Sequence, residues 1–179
     1  DDLVLDTLTE GETFTQSYQV SISDGTATTS RNIVLTFTGT NDAPVITAAT
    51  GDLALTEDQG DVASGSVTTQ TLTGTISFDD ADTSILPASG GAGGADTHTV
   101  TAEVTSVALD SEVDEAYEGP TGSLSFDATA ANASDAVGNT VGWSFEITDG
   151  QFDFLAAEEV LSITYTVTVE DNNGGTDTQ

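Results

Sequence analysis

Apolar and polar residues alternate with a period of two along most of this chain. Tyr18, Val20 and Ile22 share one face, with Gln19, Ser21 and Ser23 on the other. Ile33, Leu35 and Phe37 alternate with Val34, Thr36 and Thr38, and Val100, Ala102 and Val104 continue the habit. So do Val141, Trp143, Phe145 and Ile147, and the longest run is Leu161, Ile163, Tyr165, Val167 and Val169. Period two is the signature of half-buried strands, and the outward threonines suit a pleated, solvated face. No segment holds an apolar 3.6 period for three turns; the Ala-rich stretch 128–137 supports one helical turn at best. The expected fold is all-β. Turn signals at Asp24-Gly25, Asn41-Asp42-Ala43-Pro44, Asp149-Gly150 and Asn172-Asn173-Gly174-Gly175 cut the runs into short strands, which predicts a two-sheet antiparallel sandwich.

The chain also repeats itself. LTEGETFTQSYQVSISD (8–24) lies without gaps on LAAEEVLSITYTVTVED (155–171) at a constant offset of 147, matching Leu8 to Leu155, Glu12 to Glu159, Tyr18 to Tyr165 and Asp24 to Asp171. Residues 1–40 therefore read as the closing strands of a preceding or permuted repeat, 41–44 as a linker, and 45–179 as a sandwich lacking its last strand. An incomplete sandwich has an open edge. The expectation is that the 32–38 strand fills it beside 161–169, within the molecule or from a neighbour.

Charge narrows the function. The 179 residues hold 31 acids against one Arg (Arg31) and no Lys, for a formal charge of −30. No basic patch is available to displace phosphate counterions, so nucleic acid is excluded as a partner, and anionic lipid with it. No apolar run reaches the length that inserts in a membrane. The absence of Cys excludes disulfides and thiolate zinc sites. No leader is visible before Asp1, and the chain reads as a piece excised from a longer one. The surplus acid is a solvated shell unless its placement suits a hard cation, for which carboxylate and carbonyl oxygens are the ligands.

Placement favours the cation. GTNDAP at 39–44, SFDDAD at 77–82 and the stretch from Val141 to Gln179 resemble the VCBS and cadherin-like tandem repeats of large bacterial RTX adhesins, across essentially the whole chain. The resemblance implies an Ig-like, cadherin-like β-sandwich, exported by type I secretion to the bacterial cell surface and stiffened by Ca²⁺ between units. Carried over position by position, Glu10 or Glu12 resembles the Glu of the preceding unit, and Asn41 and Asp42 the linker ligands. Asp80 and Asp82 resemble the D-x-D of the following unit and Asp171 its late Asp. Glu57 and Glu159 would serve the next junction. Gly39 and Ala43 depart from the pattern, where cadherins carry Asp and Asn, so one or two ions are expected. Residues i and i+2 on extended chain point the same way at about 6.5–7 Å. Two carboxylates so placed repel by about 2.5 kcal/mol at an effective dielectric near 20. Asp80/Asp82 and Glu10/Glu12 would carry that cost unless a cation lies between them.

The function this implies is a structural extender of a secreted adhesin, serving cell adhesion or biofilm attachment, with neighbouring repeats of the same polypeptide as partners. The alternative is a calcium-dependent glycan-binding module using the loops at 83–97 and 110–122. No enzymatic activity is expected: Glu158-Glu159 and Asp114-Glu115 are adjacent pairs, not carboxylates facing each other across a cleft. The single GGAGGAD at 90–96 reads as a surface loop rather than a stacked calcium repeat. His98 reads as a surface or half-buried strand residue, Trp143 as sandwich core, and Thr71–Thr75 as an outward face.

Overall fold

The computed structural model describes residues 6–56, 68–82, 97–110, 121–127 and 139–179. Glu57, the glycine-rich 86–96 stretch, Asp114-Glu115 and the 128–137 stretch lie outside them.

The described chain is all-β and antiparallel, in nine strands: β1 (Thr13–Ser23), β2 (Thr28–Thr38), β3 (Val45–Gly51), β4 (Thr69–Asp79), β5 (His98–Leu109), β6 (Ser123–Phe126), β7 (Asn139–Thr148), β8 (Leu161–Asp171) and β9 (Thr176–Thr178). A four-stranded sheet runs β3-β4-β7-β6, a three-stranded sheet runs β5-β8-β9, and β1-β2 form a separate hairpin. The two larger sheets face each other as a sandwich. Ile76 and Phe78 of β4 and Val141 of β7 meet Val100 of β5 and Val169 of β8, with Ile46, Phe126, Trp143 and Val167 packed around them. Trp143 is half-buried against the margin of the core, on the inward face its alternation predicts, and its Nε1–H donates to the Thr50 carbonyl at 3.1 Å. Gly74 makes room for the indole: a Cβ there would lie 2.4 Å from Trp143.

The repeat read from sequence is a repeat of conformation. Glu12 Oε2 accepts the Thr9 N–H at 3.2 Å while the Glu12 N–H donates to the Thr9 carbonyl. One offset along, Glu159 Oε2 accepts the Ala156 N–H at 2.8 Å and the Glu159 N–H donates to the Ala156 carbonyl. The intervening residues share the left-handed region, Gly11 at φ 72° and Glu158 at φ 69°. At the far ends of the two hairpins, Asp24 Oδ1 accepts the N–H groups of Thr26 and Ala27, and Asp171 Oδ1 those of Asn173 and Gly175. The second turn is one residue longer, and β9 is the beginning of what β2 is in full.

One expectation is corrected. Residues 32–38 do not pair with 161–169 in this chain: β2 pairs with β1, with Tyr18 opposite Ile33 and Phe14 opposite Phe37. β8 instead holds β5 on one side and β9 on the other. The four-residue turn capped by Asp24 makes β1 the nearest partner for β2, and closing so short a loop has little entropy to overcome. The open edge remains in shortened form: β9 covers Thr168–Glu170, and Leu161–Thr166 have no strand on that side among the described residues.

Candidate cation site at the linker

β4 delivers Asp80 and Asp82 just beyond its last residue, and β8 ends on Asp171, directly opposite His98 at the start of β5. The linker crosses the same end of the sandwich. Asn41 Nδ2 donates to Asp171 Oδ2 at 3.1 Å, and the Asp42 N–H donates to Asp82 Oδ2 at 2.7 Å. Pro44 is fully buried, and the Ile46 N–H donates to Asp177 Oδ2, which ties the first strand of one sheet to the last of the other. Gly175 is held tight between linker and turn: a Cβ on it would lie 2.2 Å from Asp171 Oδ2 and 2.8 Å from the Ala43 Cα.

Asp80, Asp82 and Asp171 are 4%, 2% and 3% exposed. Carboxylates are almost never so buried unless something offsets their charge, because desolvation costs several kcal/mol per ion. The chain has no Lys, and its one Arg sits on β2, well away in sequence and in the hairpin. Within the cluster the one basic side chain is His98, itself 3% exposed, whose Nε2 lies 2.7 Å from Asp80 Oδ2. Its ring stacks obliquely on Phe78 at 4.9 Å.

Of the residues expected to hold a metal, the fold gathers Asn41, Asp80, Asp82 and Asp171 at this one end, with Asp42 joined through its backbone N–H while its side chain is exposed. Glu12 adjoins the linker from the hairpin side, since the Gly39 N–H donates to its carbonyl, but its Oε2 is engaged by Thr9. Glu10 is exposed, because Gly11 in the left-handed region turns the chain between the two acids. They do not point the same way. The D-x-D is not extended either: the Asp82 N–H folds back to Asp80 Oδ1 at 3.1 Å. Glu159 lies at the opposite end of β8 from Asp171, where Asp110, Glu158 and Glu159 line a shallow hollow of about 300 Å³. Glu57 is outside the described residues.

His98 is the residue that sequence reading misplaced. It is fully buried and bonded, neither a surface nor a half-buried position; its alternation with Val100, whose side chain is core, was the available signal. Gly39 explains a departure from the cadherin pattern in physical terms. A Cβ there would lie 2.3 Å from the Leu8 carbonyl oxygen and 2.4 Å from that of Thr9, so no Asp fits.

The donor set suits a hard cation: carboxylates, an amide and backbone carbonyls, with no thiolate. Asn41 Oδ1 is buried with no hydrogen-bond partner among the described residues, an acceptor of the kind such an ion takes. Among the described residues no three carboxylate or imidazole side chains stand together as a formed metal group, and the aspartates are held by hydrogen bonds from N–H donors. Comparisons with family models, with curated proteins and with solved structures find no match. What the fold and this cluster define is an all-β sandwich with a buried acidic end at its linker.

Proposed function

We propose that this chain is a structural extender module of a secreted bacterial surface adhesin, working outside the cell, with calcium fixing the angle at its linker. One observation carries the reading. Asn41, Asp80, Asp82 and Asp171 come together from the linker, β4 and β8 at one end of the sandwich, joined by the Asp42 backbone N–H, in a chain with a single Arg and no Lys to offset the acids. Bound there, calcium would supply the positive charge that the polypeptide lacks and link its own binding energy to folding. The residues do the rest. Asp82 and Asp171 hold the linker through Asp42 and Asn41, and Asp80 holds His98, so the hairpin and the sandwich meet through a short tethered segment. Without the ion, repulsion among the carboxylates opposes that tether; with it, the junction stiffens. Length then adds unit by unit, as in other arrays whose units contact mainly their neighbours.

Thermal unfolding in millimolar calcium and in chelator tests this. At a free ion concentration of 100 Kd, a ligand of the folded state adds about 2.7 kcal/mol. For a chain of this size that raises the melting temperature by roughly 5–10 °C. An unchanged midpoint together with unchanged scattering dimensions would falsify the proposal.

A further inference from the structure

The hairpin β1-β2 is amphipathic, and its apolar face is bare. Phe14, Tyr18, Val20 and Ile22 share that face with Phe37, Leu35, Ile33 and Arg31, their cross-strand partners or neighbours. Tyr18, Val20, Ile22, Ile33 and Leu35 are each more than two-fifths exposed. The equivalent face of β8 is buried at its Asp171 end and half-buried along Leu161, Ile163, Tyr165 and Val167. Ile22 corresponds to Val169 at the offset of 147; Ile22 is 69% exposed and Val169 is 0% exposed, under Ile76, Phe78 and Val141 of the facing sheet. The two hairpins agree at the left-handed residue, at the glutamate back-bond and at the aspartate-capped turn. They differ in what lies over them.

From this we infer that the β1-β2 face is a docking surface for one occupant: a four-stranded sheet of the same kind as β3-β4-β7-β6, belonging to another unit of this type. The hairpin would close that unit as β8-β9 closes this one. The inference rests on the repeat and not on calcium, so its test is run in chelator as well as in calcium and fails separately from the proposal above.

The offset dictates the test. Residue 148 corresponds to residue 1, so a second copy of residues 45–147 joined directly to Asp1 places a sheet in register over the intact chain. Arg31, the sole trypsin site among the chain's Lys and Arg, lies on the bare face opposite Val20. Cleavage after Arg31 is expected to slow at least tenfold in the extended chain relative to the 179-residue chain. Ile22→Asp is expected to restore the fast rate in the extended chain and leave the unextended rate unchanged. Cleavage at the unextended rate, or an added copy that stays unfolded, overturns the inference. So does a 179-residue chain that already sediments as a dimer with Arg31 protected, since the occupant would then be a second copy of the whole chain.

Discussion

Replacing Asp82 by Asn changes a charge while keeping the shape and one acceptor oxygen, and its effect on stability should reverse sign with calcium. Asp82 is 2% exposed, accepts the Asp42 N–H at 2.7 Å, and lies two residues from Asp80, which is equally buried. Two like charges a few ångströms apart at an effective dielectric near 20 repel by about 2–4 kcal/mol. His98 beside Asp80 offsets part of this, and the neutral amide weakens the charge-assisted bond from Asp42 by about 1 kcal/mol. In chelator, Asp82→Asn should therefore gain roughly 1 kcal/mol, or about 2–4 °C in midpoint. In calcium the variant lacks a ligand oxygen's charge. A tenfold loss of affinity alone removes about 1.4 kcal/mol of linkage at saturating ion, so the wild-type protein should melt higher. The assay is a pair of thermal melts by circular dichroism, at matched ionic strength, with magnesium as a control for charge screening. If Asp82→Asn shifts the midpoint by the same amount and sign in both conditions, the buried acids are ordinary structural groups and the cage reasoning is wrong.

Glu158 in the left-handed region stores strain of about 1 kcal/mol, part of which glycine's larger loss of backbone freedom offsets, so Glu158→Gly should raise the midpoint by about 1–2 °C, and Gly11→Ala should loosen the base of the hairpin, read as faster amide exchange in β1 and β2. Gly39→Ala should disrupt the same base more severely, since a Cβ meets two backbone carbonyls; hydrogen exchange at Gly11 and Gly39 should become fast while the sandwich keeps its melting temperature. The Asp24 carboxyl is held below the usual range by the N–H groups of Ala27 and Thr26, so the stability it lends the turn is complete above the unfolded carboxylate value and is lost as pH falls through the lowered one. Carboxyl NMR should find its midpoint under that of an unstructured Asp; a midpoint at or above it refutes the capped turn.

The long strands were legible because one face of each is apolar and the other is Thr or Ser: β1, β2, β5, β7 and β8 all follow the alternation. β3 carries no such mark, being rich in Ala and Thr, and β6 alternates as Ser-Leu-Ser-Phe over only four residues; their place comes from pairing with β4 and β7. β9 has no apolar residue at all and is defined by its ladder with β8. At the site, the linker and the D-x-D were legible as acids in register with a known pattern. Their geometry was not, because i, i+2 reasoning assumes extended backbone. Gly11 and the fold-back of Asp82 onto Asp80 both break that assumption. His98 was missed for a related reason: which face of a strand turns inward at a sheet's end depends on the sheet opposite. The pairing of 32–38 within the chain was misassigned because homologous position does not decide between a partner one turn away and one across the molecule.

The hairpin's mouth has a mechanical meaning. Thr13 faces Thr38 there, so the polypeptide enters and leaves β1-β2 at one point, and Gly39 clasps it through the Gly11 N–H to its carbonyl and its own N–H to Glu12. Tension along the backbone therefore loads that two-bond clasp first. Once it yields, the rungs peel one after another instead of shearing together, so an uncovered hairpin gives way gradually under small loads.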